Sequence, residues 1–175
     1  AEAEALFVGR VWPMFQEKCL ACHGNDEEKI KGGLDMRSLA STLKGGDSEV
    51  TALVPGKPEK SPLYLASTRS HDDWEAMPPK ENDKLTDGQL AVLKEWIFKG
   101  APWPEEARRN EVAKANAAKW DAEDGIIVKT VGALSPDWAG RRYAPEALWA
   151  YQPVKKPVIA PEEKRNPVDV LIAQR

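Results

Sequence analysis

Cys19-Leu20-Ala21-Cys22-His23 decides the reading of this chain. Two thiols three positions apart, followed at once by an imidazole, meet the requirement for covalent attachment of haem. The spacing sets the two sulfurs at the separation of the two haem vinyl groups, across which the thiols add. The adjacent His23 then stands under the iron as its proximal ligand. The chain holds two cysteines, both in this pentapeptide, so no disulfide framework is available beyond a bond within the motif.

Working outward, residues 3–18 carry Leu6, Phe7, Val11, Met14 and Phe15 on or near one face, which predicts a helix. Pro13 within it calls for a kink or a later start. Residues 24–35 are polar and glycine-bearing and read as loop. Residues 36–43 read as a short helix stopped by Gly45-Gly46, and 54–58 as a turn. Ser61 followed by Pro62 opens another short helix through Ala66. Residues 70–84 read as loop centred on Met77-Pro78-Pro79. The clearest helix runs from Asp87 to Lys99: Thr86 and Gln89 form a capping box, Leu85 and Leu90 staple the entry, and Gly100 stands at the stop with Pro102 beyond. Its apolar face is Leu90, Leu93, Trp96 and Ile97. Residues 105–122 are helix-prone but weakly amphipathic, and residues 125–175, with six prolines, read as mostly extended. This divides the chain into a helical domain at 1–104 and an extension at 105–175.

Composition limits the function. A hydrophobic fraction of 42% in 175 residues suffices for a core, and no apolar run approaches the ~18 residues of a membrane span. The net charge of −3 and pI near 5.6, without basic clusters interleaved with aromatics, argue against nucleic acid. Residues 1–103 hold 13 Lys and Arg against 17 Asp and Glu, whereas residues 104–175 hold 12 against 11. The acidic half is thus the one expected to carry the haem propionates, which disfavours a strongly anionic partner there.

An iron under His23 needs a sixth ligand, for which the chain offers three methionines and His71. Met77 is the best placed, in a loop 54 residues after His23, with Pro78 and Pro79 stiffening the backbone behind it. Its alternative role is to fill a core gap, the expected role of Met14 and Met36. His71, beside Arg69, Asp72 and Asp73, reads as a solvated loop histidine; it and a vacant or exchangeable site are the alternatives to Met77. His/Met ligation raises the potential above that of two imidazoles. Two non-haem readings compete with the motif. Zinc needs four ligands, and Cys19, Cys22, His23 and His71 are the whole Cys and His supply. A reactive dithiol wants a preceding strand, where helical flanks are expected instead.

At this point the chain resembles a class I cytochrome c, whose order is an N-terminal helix, the attachment motif, a wandering segment, a methionine loop and a C-terminal helix packed on the first. Phe15, four residues before Cys19, stands where that family places a packing aromatic, with Trp96 as the expected partner. Val11 stands where the family favours a small residue, which implies a less close crossing. The family's Gly-Pro-Leu segment, whose proline carbonyl holds the proximal histidine, reads Gly32-Gly33-Leu34 here, so the Gly33 carbonyl is the expected acceptor. The strings KGGLDMRS, VPGKPEKSPLY, AMPPKENDKLTDGQLAVLKEWI and KGAPWP narrow the resemblance to the planctomycete-type cytochrome c domain of large exported proteins, over residues 10–104.

The resemblance implies an all-α class I cytochrome c fold with a long, mostly extended C-terminal extension. It implies one haem c, covalently held by Cys19 and Cys22 with His23 and Met77 on the iron, and one-electron transfer rather than catalysis. The partner is a redox protein or a downstream domain of the same parent chain. Haem attachment of this kind takes place outside the cytoplasm, so an exported, periplasmic or equivalent location is expected, and Ala1 to Ala5 reads as a terminus left by cleavage at small residues or as an artificial end. The stretch from Glu146 to Arg175 resembles the junction to a further domain, with a helix start at 168–174. Trp138, Tyr143, Trp149 and Tyr151 read either as a strap along the domain or as an interface for that partner. Arg37, Arg69 and Trp74 are candidates to reach the propionates. The rival function is a haem-based small-ligand sensor or haem enzyme with an exchangeable sixth ligand.

Overall fold

The apolar face around Phe7 and Phe15 forms one unbroken helical path in the computed structural model, which describes residues 1–124, 126–127, 142–143 and 166. The path comprises α1 (Glu2–Leu6), a π-helical turn (Phe7–Val11) and α2 (Trp12–Lys18). This resolves the difficulty of Pro13. Proline lacks an N–H and its ring presses on the carbonyl four residues back, here Gly9. Gly9 lies in the π turn, whose wider winding relieves that crowding, so the helix neither breaks nor starts late. The helices α3 (Leu20–His23), α4 (Leu39–Lys44), α5 (Pro62–Thr68), α6 (Asp87–Phe98) and α7 (Glu106–Asp124) follow.

Capping residues set these boundaries. Thr86 and Gln89 form the expected reciprocal box at the start of α6. A second box, Ser38 with Ser41, starts α4 at Leu39 rather than Met36. The reason is physical: the Ser38 hydroxyl accepts the Ser41 N–H at 3.1 Å, one of the amides a helix start leaves unpaired. Helix α5 ends two residues later than expected, with Arg69 in the left-handed region at φ 60°.

The core forms where α6 packs on the N-terminal helix. Trp96 is fully buried. It meets Phe15 edge-on at 5.7 Å and Phe7 at 5.5 Å, and its Nε1 donates to the Pro102 carbonyl at 2.9 Å. The expected Phe15–Trp96 pair is therefore present, and Trp12 and Trp103 extend it into a cluster of five rings. Val11 and Met36 are fully buried within the same core, and Met14 is buried there too.

Residues Ala1–Trp120 form one compact unit, which takes in most of α7. Val112 is buried in the core, and Arg109 lies 4.4 Å above the Trp12 ring. A methyl group on Gly9 would come within 2.8 Å of the Trp120 ring, so glycine leaves room for that ring. Arg108 pairs with Glu4 at 3.0 Å, and Lys99 with Glu2 at 2.9 Å. In the second unit, Asp121–Arg175, β1 (Ile126–Ile127) pairs antiparallel with β2 (Arg142–Tyr143), Ile126 facing Tyr143. The expected extended tail, the side chains of the aromatic strap and the helix start at 168–174 otherwise lie outside the described residues. The fold of the described domain is all-α, as expected.

Candidate functional site

Cys19, Cys22 and His23 occupy one helical turn. The Cys19 N–H closes the end of α2 on the Phe15 carbonyl at 2.9 Å, and the Cys19 carbonyl accepts from Cys22 at 3.1 Å and His23 at 3.0 Å. Positions i, i+3 and i+4 share a helix face, so both thiols and the imidazole are presented together. Burial, reinforced by the neighbouring Cys22, pushes the Cys19 thiol up to about 12. A redox dithiol needs the opposite shift, toward the thiolate, so this environment disfavours the dithiol reading. The zinc reading is disfavoured too: among the described residues no three Cys, His, Asp or Glu side chains converge into a metal-binding group.

His23 is fixed from two sides. Its Nδ1 lies 3.1 Å from the Leu34 carbonyl, and its own carbonyl accepts the Met36 N–H at 2.8 Å. A carbonyl only accepts, so Nδ1 carries the proton and the Nε2 lone pair is left for a metal. The expected acceptor was Gly33, and the structure corrects it to Leu34. Gly33 has φ 62° and stands tight against the Asp47 side chain, so the chain turns there and the next residue's carbonyl comes to the ring. The segment carrying Leu34 is braced from behind. The Asp47 N–H donates to the Gly32 carbonyl at 2.8 Å, and a methyl group on Gly46 would sit 2.1 Å from that same oxygen. Arg37 closes the loop in front, pairing with Asp35 at 2.8 Å and with Glu27. The Arg37 hydrogen bond holds the Asp35 carboxyl below its ordinary range. Arg37 is thus committed to its own loop rather than offered to a propionate.

Met77 stands on a separate element, the loop between α5 and α6. Its N–H donates to the Ala66 carbonyl at 3.0 Å, and the Met77–Pro78 peptide is cis. His71 is turned to its own loop, its Nδ1 accepting the Asp73 N–H at 3.2 Å. Arg69, a propionate candidate from sequence, bonds the Pro78 carbonyl and pairs with Glu81 at 3.0 Å. Sequence reasoning did not foresee Leu34, Ser38 or the engagement of Arg69 with the methionine loop. Only Ser38 had a local signal, a serine with a second serine three positions on.

The residues present fit a covalently held haem. Two free thiols and an imidazole with its distal nitrogen available share one face of a helix. Such a donor set suits a c-type haem. Residues 19–81 match the family model described as Planctomycete cytochrome C, which supports a planctomycete-type cytochrome c domain over that stretch. No curated protein and no solved structure matched the chain. A cytochrome c domain is a haem-based electron-transfer module that works with redox partners. No helix among the described residues is long and apolar enough to cross a membrane.

Proposed function

We propose that this chain carries single electrons through one covalently attached haem c. Cys19 and Cys22 are the residues that would hold the haem covalently, through their sulfurs. His23 and Met77 are the residues that would bind its iron. When bound, the haem supplies an iron that cycles between ferric and ferrous states. The remaining work falls to the polypeptide. Leu34 orients the imidazole and fixes its tautomer through the 3.1 Å contact at Nδ1. The Ala66 carbonyl places the Met77 backbone, and the buried ring cluster around Trp96 holds the N-terminal helix against α6. With both ligands supplied by the chain, an iron held here would favour electron transfer over substrate chemistry, and a rigid frame around His23 and Met77 would keep reorganisation small. We further assign residues 1–104 as the cytochrome domain, with α7 as its buttress. The donor or acceptor is a redox protein or a downstream domain of the parent chain, met outside the cytoplasm.

The observation that carries this reading is the shared helical face of Cys19, Cys22 and His23, with Nδ1 of His23 already engaged. The test is mass spectrometry of the chain exported alongside haem-attachment machinery. One haem on the intact chain that survives denaturation, and noncovalent or lost haem in the Cys19→Ala, Cys22→Ala double variant, support it. A wild-type chain that emerges with no haem contradicts it.

A further inference from the structure

Resting on Met77 as the sixth ligand, we propose that Arg69 is a positioning residue that clamps the methionine loop onto the end of α5 and so holds the thioether at the iron. Four contacts converge on this junction. The Ala66 carbonyl, near the C-terminus of α5, accepts both the Met77 N–H at 3.0 Å and the Arg69 N–H at 3.2 Å. One oxygen therefore ties the entrance of the methionine segment to the residue that ends the helix. The Arg69 guanidinium then reaches across: Nη1 donates to the carbonyl of Pro78, the residue after Met77, and Nη2 pairs with Glu81 at 3.0 Å. Met77 is thus held at its own amide on one side and at its neighbour's carbonyl on the other.

The backbone of Arg69 accounts for this reach. With φ 60° it occupies the left-handed region, where a C-terminal stop position ordinarily prefers glycine or asparagine. An arginine there bears a conformational cost that a glycine avoids. What the arginine gains is a side chain leaving the helix end toward the loop, with only a fifth of its surface exposed. The planar fork satisfies a carbonyl and a carboxylate at once, a geometry that a lysine ammonium does not reproduce. Glu81 is the lesser anchor, since it is mostly exposed and is shared with Lys84 at 2.6 Å. The bond to Pro78 is the one that reaches the ligand's own neighbour.

A weak thioether–iron bond depends on such support. Losing one charge-assisted hydrogen bond multiplies the detached population by about tenfold or more. The experiment uses the full chain with haem attached. It compares wild type with Arg69→Met, Arg69→Lys and Glu81→Gln. Readouts are the far-red sulfur–iron band, the reduction potential and carbon monoxide binding to the ferrous protein. Arg69→Met should weaken the far-red band, lower the potential and bind carbon monoxide about tenfold more readily. Arg69→Lys should fall between, and Glu81→Gln should stay near wild type. A folded Arg69→Met protein matching wild type in all three readouts overturns the clamp while leaving Met77 as ligand. A wild type without the far-red band removes Met77 itself, and with it this role for Arg69. If Arg69→Met does not fold, Arg69→Lys decides, because a wild-type band and potential in that variant also overturn the proposal.

Discussion

Gly46→Ala should damage this protein well beyond the usual cost of one methyl group. The added Cβ would lie 2.1 Å from the Gly32 carbonyl oxygen and 2.8 Å from the Leu34 N–H nitrogen. Both are backbone atoms, so no side chain can rotate away, and the two loops must part by about an ångström to reach ordinary contact. Overpacking of this kind costs about 1–3 kcal/mol. The parting also breaks the 2.8 Å bond from the Asp47 N–H to the Gly32 carbonyl, worth about 1 kcal/mol. The sum is about 2–4 kcal/mol, or roughly 8–16 °C in Tm for a domain of this size. The segment displaced is the one that brings the Leu34 carbonyl to His23, so the reduction potential should shift with the stability. The assay is calorimetric melting of the haem-loaded chain beside voltammetry, with Gly88→Ala as control. A methyl group on Gly88, in the first turn of α6, would approach only the Thr86 hydroxyl, at 3.9 Å, and should stabilise by about 0.5–1 kcal/mol through helix propensity. Equal melting of Gly46→Ala and wild type would refute the claim that loop 45–47 braces the histidine segment.

Trp96→Ala should cost about 3–5 kcal/mol by emptying the centre of the ring cluster, and Trp96→Phe about 1–2 kcal/mol, mostly the lost hydrogen bond to Pro102; denaturant midpoints would rank them, and equal losses would contradict the packing described. Acid should loosen the attachment of the N-terminal helix. The Lys99 hydrogen bond holds Glu2, and the Arg108 hydrogen bond holds Glu4, below the ordinary 4.5. A depressed folded pKa gives stability that is complete above the ordinary value and is lost as pH falls below it through the folded one. Tm should therefore drop as pH falls below about 4.5. Glu4→Gln should flatten part of that drop, and an unchanged slope would exclude the Arg108 pair as a contributor.

The parts of the fold legible in the sequence are those decided by near neighbours. The capping box of Thr86 and Gln89 and the spacing of Leu90, Leu93, Trp96 and Ile97 gave α6 its start and its buried face, because both are local rules. The attachment motif was equally plain, since its chemistry lies within five consecutive residues. The π turn was not legible: it answers a conflict between Pro13 and the continuing apolar face that propensity alone does not resolve. Helix α7 was foreseen, but its docking was not. Its inner stripe of Arg109, Val112, Ala113, Asn116 and Trp120 follows helical spacing, yet only two of the five are large apolar residues. The choice of Leu34 over Gly33 depends on Asp47 and Gly46, more than ten residues away in sequence. Arg69 read as a propionate candidate, and its hold on the methionine loop was not legible because its partner there is a backbone carbonyl, which leaves no trace in side-chain pattern.

The most direct test of the account is the optical spectrum of the exported, haem-loaded chain, oxidised and dithionite-reduced, beside Met77→Ala. Sharp c-type bands with a weak far-red sulfur–iron band, lost in Met77→Ala, are the predicted result. Haem bands with no far-red feature in the wild type would contradict the His23–Met77 carrier and point to His71 or an open iron site.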